Sequence, residues 1–102
     1  MKISAAPKLN VPPRFRDTAY FDKGENVVIK IPFLGYPKPR IYWSRDGETI
    51  ESGAHFAIET TERHAILTIR DGSKIDSGSY RILAENELGQ DSAIIKIQIS
   101  GE

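Results

Sequence analysis

The chain has no cysteine. That excludes a disulfide, a thiolate metal site and a cysteine nucleophile together. It also suits a reducing compartment and is unusual for a small secreted domain. No Asn-x-Ser/Thr sequon occurs: Asn10, Asn26 and Asn86 each lack the hydroxyl residue two positions on. No apolar run approaches the ~20 residues of a membrane span. An excess of one charge is absent too. Lys and Arg number 14 and so do Asp and Glu, giving a formal net charge of +0. Nothing in the charge therefore draws the chain to nucleic acid or to an anionic membrane. The opening Met1-Lys2-Ile3-Ser4 is too short and polar for a signal peptide.

What is present is an ordinary globular composition, 39% hydrophobic and 27% charged over 102 residues. That length is one domain's worth and can build one core unaided. The dominant hydrophobic period is two. Val27, Ile29, Ile31 and Phe33 alternate with Val28, Lys30 and Pro32. Tyr80, Ile82 and Ala84 alternate with Arg81, Leu83 and Glu85. Ala93, Ile95, Ile97 and Ile99 alternate with Ile94, Lys96 and Gln98. Such runs read as strands with one face in a core. Turn signals separate them, among them Asp22-Lys23-Gly24, Asp46-Gly47, Asp71-Gly72 and Asn86-Glu87-Leu88-Gly89. No stretch carries an apolar 3.6 period over three turns. The pattern predicts an all-β, antiparallel sandwich or barrel. Its strands fall at 7–11, 17–22, 26–33, 40–45, 48–51, 55–60, 65–70, 79–86 and 91–99. Residues 1–6 read as an incoming linker, 7–100 as the domain, and 101–102 as the start of an outgoing linker.

Two features sharpen this. Trp43 stands mid-strand in Arg40-Ile41-Tyr42-Trp43, and Asp76-Ser77-Gly78-Ser79-Tyr80 reads as D-x-G-x-Y. Further marks are Ala6-Pro7 with Leu9, Gly24-Glu25-Asn26-Val27, Leu67-Thr68-Ile69 and Asn86-Glu87-Leu88-Gly89. The run Ile31-Pro32-Phe33-Leu34-Gly35-Tyr36-Pro37-Lys38-Pro39 leads on to Trp43-Ser44-Arg45. On these residues the chain resembles the intermediate-set (I-set) immunoglobulin domains of giant muscle proteins of the twitchin, titin and projectin family. The likeness covers roughly residues 7–99. The D-x-G-x-Y element marks only the superfamily; the Pro-rich run before the tryptophan is more specific.

The resemblance implies an immunoglobulin-like sandwich with a tyrosine corner at Tyr80. It makes Ile31, Trp43, Leu67, Ile69, Asp76, Gly78, Tyr80 and Ile82 the fold-defining core. Positions 31 and 82 are where such domains carry the disulfide that packs on the tryptophan. Here both are isoleucine, so burial at ~1.5–3 kcal/mol each replaces a bridge. The departure weakens an extracellular reading.

Several residue groups invite a chemical reading. His55 or His64 with Asp76 and a serine would compose a hydrolytic triad. No G-x-S-x-G elbow is present, and the fold motif already uses Asp76 and Ser77. Asp46, Glu48 and Glu51 form an acidic group, but calcium wants about 6–8 oxygen ligands; a solvated turn is the simpler reading. Pro37 and Pro39 could serve polyproline recognition, or simply fix the loop before Trp43. No catalytic, metal or cofactor residue is expected. Tyr42, Leu83 and Ile94 differ, because alternation points each outward. By immunoglobulin topology their strands share a sheet, so they could form one apolar patch with Arg81, Glu85 and Lys96 nearby. Both a partner surface and scattered surface hydrophobes fit, and single exposed apolar residues are common.

The implied function is architectural: a spacer, mechanical element and docking site in a cytoplasmic, sarcomeric protein of the A-band. The domain itself is not an enzyme, although the family's parent chains carry a kinase domain elsewhere. Implied partners are neighbouring immunoglobulin and fibronectin type III domains of the same chain, and myosin or other thick-filament proteins. Nucleic acid and membrane are not expected, and the isolated domain is expected to be monomeric. The rival reading is an extracellular adhesion or receptor immunoglobulin domain.

Overall fold

A computed structural model describes residues 4–100. Nine strands follow one another: β1 Ala5–Leu9, β2 Ala19–Phe21, β3 Val27–Tyr36, β4 Arg40–Arg45, β5 Glu48–Thr49, β6 Phe56–Thr60, β7 His64–Ile69, β8 Gly78–Asn86 and β9 Gly89–Ile99. They make two sheets, one in the order β1-β3-β7-β6 and one in the order β2-β9-β8-β4-β5. Alternation builds them: the strictly alternating runs of β3, β7 and the later part of β9 bury every second residue.

The sequence placed all nine strands, with two differences of substance. The first strand begins at Ala5 rather than at residue 7, so Ala5 pairs with Tyr36 of β3 and Ala6 lies within the strand. Of the other expected linker positions, Ser4 is exposed and precedes the strand, and 1–3 and 101–102 lie outside the described residues. Second, one pairing is parallel. β2 runs alongside β9, Ala19 opposite Ile97 and Phe21 opposite Ile99, so the sandwich is not wholly antiparallel. The cause is local. Pro12 and Pro13 have no N–H to give a ladder, and a 3₁₀ turn at Pro13–Phe15 carries the chain off the first sheet. It continues onto the edge of the second.

Pro32 sits within a central strand, an unusual place for proline. Pairing with β7 ends at Pro32 opposite His64, and pairing with β1 begins at Phe33 opposite Leu9. Its carbonyl accepts Asn10 N–H at 2.9 Å. The missing donor therefore falls where the strand changes partner. Farther along, Gly35 takes φ +146, and a Cβ there would stand 2.9 Å from Pro39 Cγ and 3.1 Å from the Pro7 backbone. Only glycine fits both demands.

The core lies between the sheets. Ile31 and Leu67 come from one sheet, Trp43, Tyr80 and Ile82 from the other, and all five are buried in one cluster. Trp43 stands directly opposite Ile82 across the β4–β8 ladder. Ile69 belongs to the same cluster.

Candidate functional site

Two places in the fold gather side chains that chemistry could use. The first is the corner before β8. The Tyr80 hydroxyl donates to the Asp76 carbonyl at 2.6 Å, four residues upstream. Burial pushes the Tyr80 phenol above its ordinary value of 10.0, with nearby Arg45 opposing and Asp76 adding to the shift. The Asp76 carboxylate is 4% exposed and accepts the Ser73 N–H at 3.0 Å. His55 Nε2 lies 2.9 Å from each of its oxygens. Arg45 Nη1 stands 3.8 Å from Asp76 Oδ1 and 3.3 Å from the Tyr80 hydroxyl, and Nη2 donates to the Ile75 carbonyl. Gly78 follows with φ +149, which a side chain rarely adopts.

Of the imagined triad, the fold thus joins His55 to Asp76. In a triad Nε2 faces the nucleophile; here the carboxylate occupies it. The Ser77 hydroxyl accepts Ile99 N–H at 2.8 Å and belongs to the strand ladder. His64 opens β7, its N–H bonded to Thr61 Oγ1 at 3.1 Å across a two-residue turn. The cluster is a structural corner. Of the acidic group, Asp46 lies beside Arg45 Nε at 3.8 Å, in the turn before β5.

The second place is the outer face of the five-stranded sheet. Tyr42 and Leu83 stand directly opposite one another on β4 and β8. Leu83 in turn faces Ser92 on β9. Ile94 lies one step along the sheet, opposite Arg81, which faces Ser44 on β4. Tyr42 is 42% and Ile94 52% exposed, and Leu83 is half-buried. A shallow hollow of about 380 Å³ opens beside them, walled by Tyr42, Ser44, Gly47, Thr49, Arg81 and Leu83. Arg81, expected only to lie nearby, is therefore part of the wall. Glu85 stands opposite Arg40, and Lys96 opposite Ser79.

Other large apolar groups are exposed elsewhere. Val28 and Leu34 face outward from the four-stranded sheet, while Ile75 and Leu88 lie in turns. What sets the Tyr42 face apart is direct register joined to a hollow. The part played by Thr49 was not foreseen. Its strand is two residues long, too short for alternation to orient it.

Two packed sheets with a buried tryptophan and a tyrosine corner define an immunoglobulin-like domain. The chain belongs to the immunoglobulin I-set family, whose model matches residues 13–99. It is 34% identical over 101 residues to the titin homolog of Caenorhabditis elegans, covering 98% of this chain and, rounded, 0% of that protein. It is 37% identical over 98 residues to cardiac-type myosin-binding protein C of Gallus gallus, covering 96% of this chain and 8% of that protein. The crystal structure of titin domains A168–A170 superposes with a TM-score of 0.93 at 25% identity, covering 98% of this chain and 35% of that one. The chain therefore spans a small part of the curated relatives it matches.

Proposed function

We propose that this domain is one link of a giant cytoplasmic muscle protein of the thick filament, serving as spacer, mechanical element and docking site. The observation that carries the reading is similarity along nearly its whole length to single modules of long muscle proteins. The physical case agrees. Isoleucines at 31 and 82 stabilise the core centre by burial alone, which needs no oxidising compartment. The docking surface is the face carrying Tyr42, Leu83 and Ile94. Immunoglobulin or fibronectin type III neighbours in the parent chain attach at the two ends of the sandwich and leave this face free. The isolated domain is monomeric, and its thick-filament partner is myosin, as the name of the Gallus gallus relative indicates for that protein.

Two measurements test this. Antibody raised against the domain should stain isolated myofibrils in the A-band; staining at the cell surface would defeat the reading. The folded domain should co-sediment with purified myosin filaments, and a variant with Tyr42, Leu83 and Ile94 all changed to Ser should not. Unchanged co-sedimentation of a folded triple variant would remove the face from the proposal.

A further inference from the structure

The docking face is not electrically neutral, although the chain is. Three cations and one carboxylate line its outer surface: Arg40, Arg81, Lys96 and Glu85. Arg40 and Glu85, of opposite sign, stand opposite one another. Arg81 stands opposite Ile94, and Lys96 opposite Ser79. Neither has an acidic cross-strand neighbour. Among the described residues, the ion pairs join Lys38 to Glu62, Arg45 to Asp46 and Asp76, and His55 to Asp76. None uses Arg81, Lys96 or Arg40, and of the three only Arg40 has a carboxylate opposite it. On the outer face of the other sheet Lys30 and Glu59, of opposite sign, flank Ile66 in one row, and Lys8 stands opposite Leu34.

Ile94 consequently lies between two uncompensated cations, Arg81 across the ladder and Lys96 two residues along its own strand. Arg81 also walls the hollow that Tyr42 and Leu83 line. We infer that this face takes an acidic amphipathic segment of a protein partner. An apolar side chain of the segment enters the hollow, and its flanking carboxylates meet Arg81 and Lys96. The inference deepens the docking reading and rests on it. A nucleic acid fits poorly, because its affinity grows with the number of phosphates neutralised and this face carries only three cations, one of them opposite a carboxylate. The apolar hollow would also go unused. A single small face gives modest affinity, and exposed charges make it sensitive to salt.

The experiment titrates the ¹⁵N-labelled domain with a synthetic helical peptide carrying a leucine stripe flanked by glutamates. A twin peptide with every Glu replaced by Lys is the comparison. Amide shifts should concentrate at Tyr42, Arg81, Leu83 and Ile94, and the acidic peptide should bind about tenfold tighter or more. The double variant R81E/K96E, shown folded by thermal melting, should reverse that preference. Equal binding of the two peptides, or shifts centred on another surface, would overturn the inference. So would tighter binding to heparin or phosphatidylserine vesicles than to the acidic peptide, which would make the site a general anion patch. Myosin co-sedimentation separates the two readings. Loss in the Tyr42/Leu83/Ile94 serine variant but not in R81E/K96E keeps the docking face and overturns the acidic partner; loss in neither overturns both.

Discussion

The imidazole of His55 stands 2.9 Å from both carboxylate oxygens of Asp76, although the two residues lie 21 positions apart. Asp76 is nearly sealed from water, and a buried carboxylate must be bonded on every side to be tolerated. His55 closes the side toward solvent, Ser73 supplies a backbone N–H from within the turn, and Arg45 approaches from β4. The Asp76 carbonyl meanwhile receives the Tyr80 hydroxyl. One residue therefore ties the loop before β8 to both sheets.

From this hub, Asp76→Ala should cost more than His55→Ala. The first removes the common acceptor of several bonds, about 2–4 kcal/mol. The second leaves the carboxylate with Ser73 and Arg45 and costs about 1–2 kcal/mol. Urea midpoints at constant m-value give the order. A His55→Ala domain less stable than Asp76→Ala would show that the histidine, not the carboxylate, organises the corner.

Tyr80 leads to a second expectation. Tyr80→Phe keeps the buried ring and orphans one carbonyl, costing about 1–3 kcal/mol. Trp43→Ala and Ile31→Ala empty the core and should cost about 2–5 kcal/mol each. Alkaline pH adds a signature. Burial raises the folded-state pKa of the phenol above 10.0, so the unfolded chain ionises first. The stabilisation is complete below that value and is lost as pH rises through the higher folded pKa. Wild type should thus lose more melting temperature than Tyr80→Phe between neutral pH and pH well above 10. Parallel losses would mean that Tyr80 ionises equally in both states.

The isoleucine pair offers a third test. Ile31 and Ile82 are fully buried, in one cluster, on opposite sheets. Ile31→Cys with Ile82→Cys should oxidise to an intramolecular disulfide, since bridged positions need Cα atoms ~4.4–6.8 Å apart. Thiol titration under denaturing conditions should find no free thiol after oxidation, and the bridge should add ~2–4 kcal/mol. Two persistently free thiols would mean that the pair does not face across the core.

Strands and core were legible in the sequence because period-two alternation and one-sided burial are the same physical fact. Ile29, Ile31, Ile95 and Ile97 declare their face by their neighbours. The parallel edge of β2 was not legible. It depends on where the chain lands after Pro12 and Pro13, which local pattern does not specify. The face of Tyr42, Leu83 and Ile94 was half legible. Alternation gives outwardness, but Arg81 walls the hollow only because β4 and β8 pair Ser44 with Arg81. Register is a property of two strands and is written in neither alone. The His55–Asp76 contact lay deeper still, since nothing local to either residue announces the other.

Asn86 supports the last prediction. Its side-chain amide donates to the Ala5 carbonyl at 2.9 Å and to the Pro37 carbonyl at 3.0 Å. Its amide oxygen accepts Leu88 N–H at 2.8 Å, shaping the turn between β8 and β9. One side chain thus holds three segments together: the start of β1, the loop before β4 and its own turn. β1 pairs with β3 irregularly between Ala5 and Lys8, so this end of the strand depends on the clamp more than a regular ladder would. Asn86→Ala leaves two carbonyls with a lost donor and should cost about 1–3 kcal/mol. Asn86→Asp keeps the acceptor for Leu88 but has no donor, so it should fail to rescue Ala5 and Pro37. The discriminating measurement is residue-resolved amide exchange. Protection in β1 should fall in both variants while the centre of β8 keeps its wild-type rates. Uniform loss of protection through both sheets would mean that Asn86 contributes to global stability and is not a local clamp on the entering strand.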